Sequence, residues 1–143
     1  MERLCHEGIV PGIITTLHRG NACREKLSLL LAWIAQLDQI GVRSMRLHLL
    51  ESESAAIRTQ YSLTDEENVA ALLALASFQT RLTALRFDLF AEMALLLMGR
   101  DEGTSCVWNA CDPYTTSSVR GVEGHGERSN CGRTNKDGID FVK

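Results

Sequence analysis

The sequence has no excess of positive charge: 15 lysines and arginines face 18 aspartates and glutamates, for a formal charge of −3, and no basic stripe runs along any segment. A nucleic-acid backbone would find little to bind, so nucleic acid is set aside as a partner. There is also no long charge-free apolar run. The greasiest stretch, Leu82 to Met98, carries Arg86, Asp88 and Glu92, which are costly in hydrocarbon, so no membrane span is expected. A secretory signal is missing as well, since Met1 is followed by Glu2, Arg3 and His6 in place of a basic start and an apolar core. The expected location is the cytoplasm. In that reducing compartment five cysteines, an odd number, read as thiols or metal ligands and not as a disulfide framework.

What is present organises the chain into two parts. A length of 143 residues allows one ordinary domain that would bury about two-thirds of its unfolded surface. GIITTLH, residues 12–18, is a β-branched run entered through Pro11-Gly12 and left at Arg19-Gly20-Asn21, which predicts a buried strand. Leu27, Leu30, Leu31, Ile34 and Leu37 then recur at helical spacing, with Trp33 and Ile40 widening the stripe, Asn21 as a candidate N-cap and Gly41 as a left-handed stop. VRSMRLHLL, residues 42–50, reads as a second strand, and ESESAAIRTQYSL as a polar loop.

Thr64 with Glu67 forms an S/T-x-x-E capping box that opens a second helix, with Val69, Leu72, Leu73 and Ala76 as its apolar stripe. Leu82, Leu85, Leu89, Phe90, Met93, Leu96 and Leu97 mark a third helix, after a break near Thr80 and ending at Gly99. The order β-α-β-α-α predicts parallel pairing with right-handed crossovers, so residues 1–100 read as part of an α/β sheet or barrel.

From Arg100 the composition changes. Seven of the 11 glycines and three of the five cysteines lie between Gly99 and the C-terminus. Such a tail would ordinarily be disordered, but Trp108, Tyr114 and the cysteines suggest a second module, residues 101–143, ordered by a ligand. Cys106, Cys111 and Cys131 are separated by four and nineteen residues. Structural zinc prefers a tight C-x2-4-C knuckle and four ligands, and the fourth here could only be His125 or a group from outside this sequence. Iron–sulfur clusters accept more scattered thiolates, and nearby glycines let backbone N–H groups reach the sulfurs. Cys5 and Cys23 stand alone and are assigned no role.

Cys111, fourteen residues, then Gly126-x4-Cys131 resembles the C-x9-15-G-x4-C opening of the SPASM domain, the auxiliary-cluster module of radical S-adenosylmethionine enzymes. WNACDPYTT and GERSNCGRTNKDGIDFVK are similar to the peptide maturases of that group, particularly the cyclophane-forming ones. The resemblance implies that residues 1–100 are late β/α units of a partial (β/α)6 barrel followed by an irregular Cys/Gly-rich segment. It implies that Cys106, Cys111 and Cys131 ligate an auxiliary [4Fe–4S] cluster, and that the complete enzyme uses S-adenosylmethionine on a precursor peptide. His18 and Asn21 would leave one barrel strand, and Arg46, His48 and Glu51 would lie along or leave the next, at the mouth where barrels place ligands. Taken singly, each is more readily read as a solvated or hydrogen-bonded polar residue.

The departures from that family are specific. No C-x3-C-x2-C occurs, so the motif that holds the S-adenosylmethionine-reducing cluster is absent, as are the later SPASM cysteines. The reading is therefore of a fragment that would be inactive alone. The alternatives are a small zinc-binding interaction protein using Cys106, Cys111, Cys131 and His125, or a truncated, inactive remnant.

Overall fold

The expected strand-helix-strand order is present, preceded by a short helix the sequence did not signal. In chain order these are α1 (Glu2–His6), β1 (Gly12–Leu17), α2 (Leu27–Gln39) and β2 (Ser44–Leu49). The structure is a computed structural model and describes residues 1–50, 52, 54–100, 104, 121–122 and 128–129. Two units divide the chain, Met1–Met93 and Ala94–Lys143.

In the first unit β1 and β2 pair in parallel, Gly12 opposite Ser44 and Leu17 opposite Leu49. The helix between them stops as anticipated. Gly41 adopts φ +97°, its N–H donates to the Asp38 carbonyl, and the Val42 N–H donates to the Leu37 carbonyl at 3.0 Å. This is a Schellman closure that needs a residue free to turn left-handed. The start differs from expectation. α2 begins at Leu27 with Lys26 at its N-cap, and Asn21 instead ties together the turn after β1.

The segment read as a polar loop contains α3 (Ala55–Tyr61), capped by the Ser54 side chain, which accepts from the Ile57 N–H. It buries no residue, so no apolar periodicity announced it. α4 (Asp65–Gln79) opens on the predicted capping box: the Thr64 N–H donates to Glu67 Oε2 at 2.8 Å and the Glu67 N–H to Thr64 Oγ1 at 3.2 Å. Its inward face only partly matches the predicted one, with Leu72 packed against the core as expected. Ala71 and Leu75 are buried, whereas Val69 and Leu73 stand 57% and 63% exposed. The helix is apolar nearly all round, so spacing alone could not choose its face.

The expected third helix is shorter by its first turns. Residues 82–85 form a loop, Arg86–Phe87 form β3, and α5 spans Asp88–Leu97. Helical spacing of Leu82, Leu85 and Leu89 was coincidental. What prevents helix there is Asp38, whose carboxylate accepts from the backbone N–H groups of Thr83, Ala84 and Leu85, drawing the chain out toward the sheet. β3 pairs in parallel with β2, Met45 opposite Phe87, so the sheet order is β1-β2-β3. α5 ends as predicted at Gly99, with φ +67°.

One core results. Leu17, Met45, Leu47 and Phe87 from the sheet pack with Leu30, Ile34, Leu37, Ala71, Leu75 and Leu85. Each fully buried large side chain contributes about 1.5–3 kcal/mol. Phe90 packs against this cluster as expected, but Trp33, placed in the core by its spacing, is 41% exposed. Among the described residues no helix is long and apolar enough to cross a membrane.

In the second unit the described residues include a small antiparallel ribbon, β4 (Gly121–Val122) paired with β5 (Arg128–Ser129). No strand periodicity announced it, because two residues are too few to show one.

Candidate functional site

The site follows from the alternation of side chains along parallel strands. Thr15, Leu17, Met45, Leu47 and Phe87 point to the helical layer and are buried. The intervening residues, Ile14 and Thr16 on β1 and Arg46 and His48 on β2, belong to the opposite face. The register sets Ile14 beside Arg46 and Thr16 beside His48. All five core-facing strand residues share one side, so this other face is free of the hydrophobic core.

Two carboxylates extend the row. Asp88 follows Phe87 directly and begins α5, where a negative charge also suits the helix N-terminus. Arg46 Nε donates to Asp88 Oδ2 at 2.6 Å, and Arg46 NH2 lies 3.8 Å from Glu92 Oε1, one turn along α5. Glu92 is buried, a position a carboxylate holds only when paired. Asp88 Oδ1 and His48 Nε2 are enclosed without a hydrogen-bond partner among the described residues. Neither Asp88 nor Glu92 was singled out in the sequence, because both sat inside an expected continuous helix. The available signal was the polar pair Asp88 and Glu92 breaking an apolar run.

At the C-terminal end of β1 the turn is built from its own side chains. The His18 N–H donates to Asn21 Oδ1 at 2.9 Å, and Asn21 Nδ2 donates to the Thr16 carbonyl at 2.9 Å. The Gly20 N–H donates to His18 Nδ1 at 3.0 Å, which leaves the neutral ring's proton on Nε2. A Cβ at Gly20 would lie 2.7 Å from His18 Cε1, so any larger residue would push the His18 ring aside. Tyr61 meets the His18 ring edge-on at 6.4 Å, and its carbonyl accepts from the Arg19 N–H. Beside this turn a groove of roughly 540 Å³ runs between β1 and α2, lined by Ile14, Thr15, Thr16, Lys26, Leu29 and Trp33 among others.

The structure therefore gathers Arg46 and His48 on one sheet face and places His18 and Asn21 at the end of the neighbouring strand. Glu51 lies outside the described residues, as do Cys106, Cys111, Cys131 and His125. Of the remaining cysteines, Cys5 is half-buried and Cys23 buried, both free thiols. Among the described residues no three His, Cys, Asp or Glu side chains are grouped to hold a metal ion. The polar face offers charge and hydrogen bonding, not a metal cage. No protein-family model, no curated protein and no solved structure matches the chain.

Proposed function

We propose that this chain contributes late β/α units of a radical S-adenosylmethionine barrel and the opening of its auxiliary-cluster domain, within an enzyme that modifies a precursor peptide. The supporting observation is the wall-like first unit. Its parallel strands follow in sequence order, β1-β2-β3, with buried side chains on one face and Thr16, Arg46 and His48 on the other. Right-handed crossovers between strands laid down in one direction place every helix on the same side, as in a barrel wall. The polar face then corresponds to the lumen, where Arg46 and His48 would meet S-adenosylmethionine or peptide.

In this reading Cys106, Cys111 and Cys131 ligate an auxiliary [4Fe–4S] cluster, a proposal that rests on their spacing and on the wording around them. Electron transfer is the chemistry such a cluster supplies when bound. The described residues supply no cluster ligands, so their part is to bind and orient.

Anaerobic reconstitution with iron and sulfide tests the proposal. A brown chain holding both iron and sulfide, with loss of both in Cys106→Ala, Cys111→Ala and Cys131→Ala, is expected. A colourless chain that instead retains one zinc ion through the same cysteines would replace it with the zinc-binding alternative.

A further inference from the structure

We draw no further inference here: the strongest candidate, the groove between the β1 edge and α2 that Leu29 and Trp33 wall, carries nothing, because nothing in the structure shows what covers it and the proposed barrel wall gives that edge to a further strand.

Discussion

Removing the Asp38 carboxylate should be the most damaging single change in the first unit. Asp38, in the last turn of α2, is 8% exposed and accepts four hydrogen bonds from the loop before β3. These come from the Thr83 N–H at 2.9 Å, the Thr83 hydroxyl at 2.8 Å, the Ala84 N–H at 2.8 Å and the Leu85 N–H at 2.7 Å. Asp38→Ala leaves these donors without their acceptor. At about 1–3 kcal/mol for each stranded group, reduced by relaxation and water entry, a loss of about 3–5 kcal/mol follows. That is a large share of the ~5–15 kcal/mol by which a domain is stable. Asp38→Asn keeps one acceptor oxygen but turns an amide N–H2 toward the remaining donors, for about 2–3 kcal/mol.

The same residue sets an acid sensitivity. Burial alone would push the Asp38 carboxyl up, but the hydrogen bonds from Leu85, Thr83 and Ala84 outweigh it and hold the group far below the usual carboxylate range. In the unfolded chain the group titrates near pH ~3.9. Its stabilisation is therefore fully present above that value and is lost as pH falls below about 4 toward the lower folded value. Urea unfolding followed by far-UV circular dichroism, repeated from neutral pH downward, measures both effects. Asp38→Asn should be less stable at neutral pH and should show a shallower fall in stability below about pH 4. Equal stability at neutral pH and an unchanged acid profile would refute the reasoning.

Gly41→Ala must hold φ near +97° against its Cβ, and should cost about 1–2 kcal/mol in the same urea assay. Thr64→Ala removes one half of the capping box and should cost about 1 kcal/mol, with earlier amide exchange in the first turn of α4 as the local readout. Arg46→Met separates Asp88 and Glu92 from a shared cation; because Arg46 is itself partly solvated, the expected loss is about 1–2 kcal/mol, and Asp88→Asn in that background should recover part of it. The metal-reconstituted chain, mixed anaerobically with dithionite and S-adenosylmethionine, should form no 5′-deoxyadenosine, because no C-x3-C-x2-C is present; cluster-dependent turnover above a Cys131→Ala control would overturn that.

The parts of the fold that could be read from the chain are those held by neighbours in sequence. Thr64 and Glu67 close a capping box within one turn, and Gly41 stops α2 through groups a few residues away, so both were visible as local patterns. Asp38 reaches Thr83 across 45 residues and Arg46 reaches Asp88 across 42. No local pattern encodes such pairs, and they decide where β3 and α5 begin. β3 has only two residues, too short to show a period. For the candidate site, strand ends pointed to His18, Asn21, Arg46 and His48, while Asp88 and Glu92 were hidden by a helix assigned too early. The cysteine reading at 106, 111 and 131 falls outside the described residues.

Under the proposed reading, the polar face of the sheet distinguishes two ways of covering it. Wholly parallel sheets occur almost only with both faces covered, and here one face already meets the helices. A second helical layer, as in a doubly wound sheet, would press apolar side chains onto Arg46, Asp88 and His48. It would take a partly solvated ion pair out of water, at an effective penalty of several kcal/mol per ion, with Asp88 Oδ1 and His48 Nε2 already lacking partners among the described residues. Further strands continuing the same wall would instead turn this face toward a polar interior, where Arg46 stays partly hydrated and a ligand can supply the missing hydrogen bonds. Ile14 fits that closure too, since it lies at the β1 edge where an additional strand would cover it. The charge carried by β2 is therefore an argument for the proposed barrel-like closure over a second helical layer, and it stands without reference to the cysteines.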